Sequence, residues 1–180
     1  MVGDFGKLTA VRHRGARLDA PIVADHELVG CFRLRSHHGT WLGVQEDAPR
    51  DKEVRMRKAP DTERQTDVWF FYKYGSGGNE YGLCNYHTHR FMSFEPCEWA
   101  TCNRKVPDTW ERLQLHEQGG KVAFLCRKGP KGPRWLTVES NRCVRTDRLV
   151  ADAWEKFDLI PVEEVCGDLP SEGIRLAKAQ

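Results

Sequence analysis

The 180-residue chain has the length of one domain with short extensions. Its 39% hydrophobic and 30% charged residues exclude a disordered or fibrous polypeptide. With 28 Lys and Arg against 26 Asp and Glu, the net charge of +2 argues against binding nucleic acid or membranes through bulk charge, so only local patches remain to consider.

The first 29 residues read as an N-terminal extension. They mix both charges around one short apolar stretch, Pro21-Ile22-Val23-Ala24, suited to pairing with or packing on the domain that follows. No apolar h-region opens the chain, and no run approaches the roughly 20 apolar residues that span a bilayer. The seven cysteines (31, 84, 97, 102, 126, 143 and 166) form no dense framework. They read as buried thiols, and with no secretory signal the expected location is cytoplasmic.

From Gly30 to Val162 the sequence is punctuated by short alternating segments. Phe32-Arg33-Leu34-Arg35 sends two apolar side chains one way and two arginines the other, as a half-buried strand requires. Tyr81-Gly82-Leu83 and Val122-Ala123-Phe124-Leu125-Cys126 open two later units in the same manner. Turn signals separate the segments at His38-Gly39, Gly75-Ser76-Gly77-Gly78-Asn79, Gly119-Gly120 and Gly129-Pro130-Lys131-Gly132-Pro133. Each unit closes on an acid-x-apolar-x-apolar word: Asp67-Val68-Trp69-Phe70-Phe71, Glu111-Arg112-Leu113-Gln114-Leu115 and Glu155-Lys156-Phe157-Asp158-Leu159. Residues 163–180 read as a C-terminal tail, with Ile174–Ala179 long enough for one or two helical turns.

The closers are periodic. Trp69, Leu113 and Phe157 are separated by 44 residues, as are Met56, Ala100 and Val144. The apolar pairs Trp41-Leu42, Phe91-Met92 and Trp135-Leu136 sit 22 residues before the next closer in the second and third units and 28 before it in the first, which predicts an insertion near Glu46–Lys52. Three units of about four strands, roughly twelve strands without a long helix, predict an all-β β-trefoil: six strands close a barrel and three hairpins cap it.

The words themselves resemble a family. Leu34-Arg35-Ser36-His37-His38-Gly39-Thr40-Trp41-Leu42 is similar to the opening motif of fascin-like, actin-crosslinking β-trefoils. Trp110-Glu111-Arg112-Leu113-Gln114-Leu115 and Trp154-Glu155-Lys156-Phe157-Asp158-Leu159 resemble that family's repeat ends, and Val144-Arg145-Thr146-Asp147-Arg148 its middle strand. The similarity covers residues 30–162 and departs where His89 and Pro133 replace the glycine seen at Gly39. The resemblance implies a non-enzymatic, cytoskeletal protein binding F-actin, with no cofactor, membrane or nucleic-acid partner.

Basic loops are the surface such binding would use, because an acidic filament attracts them in a salt-sensitive way. The prime candidates are Arg127, Lys128, Lys131 and Arg134 on a Gly/Pro-rich hairpin, with Arg55, Arg57 and Lys58 as a second patch and Arg142, Arg145 and Arg148 as a third. A carbohydrate- or other ligand-binding module is the alternative, or a protein-interaction scaffold. Tyr72, Tyr74, Tyr86 and Trp99 are the aromatic residues suited to stacking a sugar, although they do not repeat at 44 residues. His87, His89, Cys97 and Cys102, with Cys84 nearby, have the residue types of a zinc site but not its usual close cysteine pairs. His37-His38 is a candidate pH-responsive turn. Catalytic signatures are missing from the sequence, so a non-enzyme is expected.

Overall fold

The computed structural model describes residues 20–21, 23–45, 54–75, 78–94, 99–127 and 132–162. The strands are β1 (His26–Ser36), β2 (Trp41–Val44), β3 (Val54–Arg57), β4 (Trp69–Tyr74), β5 (Glu80–Asn85), β6 (Phe91–Phe94), β7 (Ala100–Arg104), β8 (Leu113–Gln118), β9 (Lys121–Cys126), β10 (Arg134–Val138), β11 (Val144–Arg148) and β12 (Phe157–Pro161). Two one-turn 3-10 segments, Thr109–Glu111 and Ala153–Glu155, precede β8 and β12.

The antiparallel pairings β1–β4, β4–β5, β5–β8, β8–β9, β9–β12 and β12–β1 form a closed ring of six strands. The hairpins β2–β3, β6–β7 and β10–β11 cap one end of it. This is a β-trefoil, and closure leaves the barrel strands no free edge.

The periodic apolar positions converge as the repeat predicts. Trp69, Leu113 and Phe157, together with Leu42, Met92 and Leu136, are fully buried in one core cluster. Trp69 also donates its indole N–H to the Leu42 carbonyl at 2.9 Å, tying the first closer to its own cap hairpin. Burying each such side chain contributes roughly 1.5–3 kcal/mol, so the shared core supplies much of the cohesion between units.

The middle strands need a different register from the one the 44-residue spacing suggests. Leu42 pairs with Met56, Met92 with Cys102 and Leu136 with Thr146, so Met56 matches Cys102 and Thr146 rather than Ala100 and Val144. Fourteen positions separate Leu42 from Met56, where ten separate Met92 from Cys102 and Leu136 from Thr146. A further thirteen lead from Met56 to Trp69, against eleven in the other two units. The six-residue insertion is therefore split, four before β3 and two after it. The stretch of the β2–β3 connection that holds the first part, residues 46–53, lies outside the described residues. The same register places Cys102 fully inside the core.

A second cluster explains why β4 is apolar on both faces. Phe70, Tyr72, Cys84, Phe91 and Val68 point outward from the barrel and are covered by Val23 and Val162, with Ala20 packed against them. Tyr72 donates its hydroxyl to the Pro21 carbonyl at 2.6 Å. The stretch around Pro21 and Val23 thus packs on the barrel wall, while the outermost termini lie outside the described residues. Burial drives the Tyr72 phenol pKa well above its ordinary value, with the Cys84 side chain adding to the shift.

The acids that open the closing words are not on a solvent face. Asp67, Glu111 and Glu155 are 0%, 2% and 3% exposed, on the inward side with the apolar residues two positions on, as period 2 places them. Glu111 accepts the Asp108 N–H at 2.7 Å and Glu155 the Asp152 N–H at 2.8 Å, each closing its 3-10 turn onto the barrel. In the first unit Asp67 takes the same part for a longer loop, accepting the Asp61 N–H at 3.2 Å and Arg33 Nε at 3.3 Å. Arg33, expected to point to solvent, is buried by that contact.

Candidate functional site

The recurring closers build two related surface turns. Arg104-Lys105-Val106-Pro107-Asp108-Thr109-Trp110-Glu111 and Arg148-Leu149-Val150-Ala151-Asp152-Ala153-Trp154-Glu155 share Arg-x-Val-x-Asp-x-Trp-Glu at a spacing of 44 residues. The inward Glu locks each turn, which leaves both valines outside. Val106 and Val150 are 70% and 73% exposed, well beyond what an apolar residue needs for folding. In the third unit Leu149, at 72%, and Trp154, at 39%, extend this surface.

A hollow of about 610 Å³ opens at the third-unit turn, lined by Arg148, Leu149, Val150, Asp152, Ala153, Trp154 and Glu155. The His38 ring meets Trp154 edge-on with centroids 5.2 Å apart, so the β1–β2 turn supports the indole from the neighbouring unit. Arg148 Nε stands 3.9 Å from Glu155 and 3.6 Å from Asp147. The result is an exposed aromatic and aliphatic wall beside a rim of hydrogen-bonding groups.

The aromatic residues expected to stack a ligand lie elsewhere. Tyr72 and Tyr74 are buried, and Tyr86 packs against Phe70 in the second cluster. Trp99 has the Arg145 guanidinium over its face at 4.3 Å. Tyr74 is likewise covered by Arg112 at 4.4 Å. The Trp110/Trp154 pair carries the 44-residue repeat that those four lack, and it was readable in the sequence.

The predicted cations separate into different surroundings. Arg127 is exposed just after β9, and Arg134 begins β10 with its guanidinium donating to the Pro133 carbonyl at 2.8 Å. Lys128 and Lys131 lie outside the described residues. The third basic group divides: Arg145 pairs with Glu139 at 3.3 Å, Arg148 turns toward Asp147 and Glu155, and Arg142 leaves them to join the second patch. Arg142 contributes with Arg55, Arg57 and Lys58 to a cleft of about 690 Å³ between the β3 end and the β10–β11 turn. A hydrogen bond from Met56 N–H to the Arg142 carbonyl, 3.2 Å, holds the two units together there.

His87 and His89 sit on the β5–β6 turn, but Cys102 turns inward and donates its thiol to the Arg90 carbonyl at 3.0 Å. Cys97 lies outside the described residues. Among the described residues no three His, Cys, Asp or Glu side chains converge as metal ligands. The Cys84 thiol is buried, and burial, with the nearby Cys102 adding, pushes its pKa far up, opposite to what a nucleophile needs. Cys84, Cys102, Cys126 and Cys143 are not in disulfides, but Cys31 is disulfide-bonded, its partner lying outside the described residues. The expectation of seven thiols therefore fails at Cys31. No helix among the described residues is long and apolar enough to cross a membrane.

No protein-family model matches the chain. No curated protein matches it either. Solved structures do. A designed threefold-symmetric protein, ThreeFoil, is 16% identical with a TM-score of 0.61, over 74% of this chain and 99% of its own. A GlcNAcα1-4Gal-releasing endo-β-galactosidase from Clostridium perfringens is 21% identical with a TM-score of 0.61, over 74% of this chain but 33% of that enzyme. A Polyporus squamosus lectin, solved with the epitope Neu5Acα2-6Galβ1-4GlcNAc, is 10% identical with a TM-score of 0.58, over 74% of this chain and 49% of the lectin. At these identities the likeness carries the fold and not the fascin-like, actin-crosslinking assignment: the chain is a β-trefoil.

Proposed function

We propose that this β-trefoil is a non-enzymatic, lectin-like ligand-binding module that holds a carbohydrate against Trp154. The observation that carries this reading is the surface Trp turn, repeated at 44 residues and opening in the third unit onto a hollow of about 610 Å³. That volume falls within the roughly 300–1,000 Å³ of small-molecule sites. A pyranose presents an apolar C–H face and a rim of hydroxyls. The indole of Trp154 with Leu149 and Val150 suits the first, while Arg148 and Asp152 suit the second. One solved structure of the same fold is a glycan-bound lectin, which supports the same ligand class.

The experiment is a glycan array followed by titration calorimetry with the wild-type protein and Trp154→Ala. Trp154 is a surface residue, so its truncation leaves the fold intact while weakening glycan binding at least about tenfold, or about 1.4 kcal/mol. Filament co-sedimentation is run beside it, because actin binding rests on the sequence resemblance alone. Pelleting with F-actin and no saturable glycan would replace the lectin reading. The disulfide at Cys31 favours an oxidising compartment over the cytoplasm.

A further inference from the structure

The cleft between the first and third units lies apart from the Trp154 hollow and has a different chemistry. We infer that it is a second binding site, for a ring-scaffold polyanion bearing at least two sulfate or phosphate ester groups. Arg57 and Lys58 reach it from the end of β3, and Arg142 from the β10–β11 turn, so residues remote in sequence meet on one surface. Gln45, Ser140 and Asn141 add neutral hydrogen-bonding groups to the wall, and no carboxylate lines it.

One acid outside the lining pairs with Arg57 and leaves the Lys58 and Arg142 charges to the cleft. Asp61 meets Arg57 at 3.6 Å, and its other contacts face its own loop: the Thr66 hydroxyl donates to it at 2.6 Å and the Arg64 N–H at 3.0 Å. Arg57 is thereby positioned at the cleft edge, while Lys58 and Arg142 stay exposed. Guanidinium forks suit the paired oxygens of tetrahedral esters, and a lysine adds a movable point charge.

Arg142 supplies a separate argument. It occupies the left-handed region at φ 68, where glycine would be unstrained. Its backbone closes the tight turn through Arg142 N–H to the Glu139 carbonyl at 2.9 Å. A long cationic side chain at such a position carries backbone strain, and here it lines the cleft at the unit boundary. The spacious opening, about 690 Å³, accepts a ligand with several charged groups instead of one ion.

The test uses calorimetry with a heparin-derived hexasaccharide and with inositol hexakisphosphate, at about 50 and 200 mM salt. Saturable binding of either that weakens with salt is expected. The double variant Lys58→Gln/Arg142→Gly should weaken it at least tenfold, with the thermal midpoint equal to or above wild type because glycine relieves the turn. Arg142→Asn, which also tolerates left-handed backbone, paired with Lys58→Gln should give the same loss. Lys73→Gln on β4, a loss of positive charge outside the cleft, should leave binding unchanged. Preference for the oligosaccharide identifies a sulfated glycan, and preference for the inositol phosphate identifies a phosphorylated small molecule. Binding of neither, binding untouched by the double variants, or equal competition by a single-stranded oligonucleotide of similar charge would overturn the site.

Discussion

Replacing Asp67 by Asn probes how the first unit is locked to the barrel. The carboxylate is fully buried, faces Arg33 Nε at 3.3 Å, and accepts the Asp61 N–H at 3.2 Å, so both oxygens are engaged. Asn preserves volume but removes the charge and offers one acceptor where two were used. Arg33, with a side chain only 10% exposed, then keeps its charge in a dry site without its carboxylate. Breaking a buried pair by removing one member costs about 3–5 kcal/mol, which for a domain of this size lowers the thermal midpoint by about 10 °C. Urea titration of wild type, Asp67→Asn, Arg33→Met and the double variant Arg33→Met/Asp67→Leu measures it. The double variant should recover most of the loss, since an apolar pair of similar volume often matches a buried ion pair. An Asp67→Asn protein within about 1 kcal/mol of wild type would refute the assignment of this acid as the lock.

Other outcomes follow from neighbouring contacts. Asp158 receives Lys121 Nζ at 2.7 Å and Arg35 at 2.9 Å; the Lys121 hydrogen bond, against the opposing effect of burial and with help from Arg35, holds its pKa below the usual 3.8. A lowered folded-state pKa gives stability that is present above the unfolded value and lost as pH falls through the folded one, so Asp158→Asn should flatten the acid limb below about pH 4 in urea titrations. Burial, with the Arg127 charge adding, lowers the His116 pKa from 6.5. The folded state resists that proton, so stability should fall as pH drops below about 6.5 toward the lowered folded-state value, and His116→Gln should remove that step. Peptide mapping under non-reducing conditions should recover Cys31 in a disulfide, with native alkylation leaving it unlabelled.

Much of the fold was legible because a threefold barrel imposes its period on the residues that fill it. Trp69, Leu113 and Phe157 had to recur, and all three reach one core. The middle strand was misread because Met56 satisfied a numerical spacing while an insertion was split across two connections; cross-strand pairing, not spacing, decides which residues match. The buried acids escaped because a carboxylate is ordinarily solvated, although alternation puts them on the apolar face; Glu111 and Glu155 replace water with backbone N–H groups. Likewise Phe70 and Tyr72 were suited to exposure by pattern alone, until Ala20 and Val23 covered that wall. At the candidate site the signal was present in the Arg-x-Val-x-Asp-x-Trp-Glu repeat. The basic cleft was only half visible, since Arg142 joins Arg57 and Lys58 through the fold.

Ligand binding at the third-unit turn is tested most directly by the Trp154 indole N–H resonance in a ¹⁵N-correlated spectrum. It is assigned by its disappearance in Trp154→Phe and followed while the best array glycan is titrated to saturation. A saturable shift of that resonance, with the buried Trp69 signal unmoved, is the predicted result. A bound glycan that leaves the Trp154 signal in place while moving others would contradict the account.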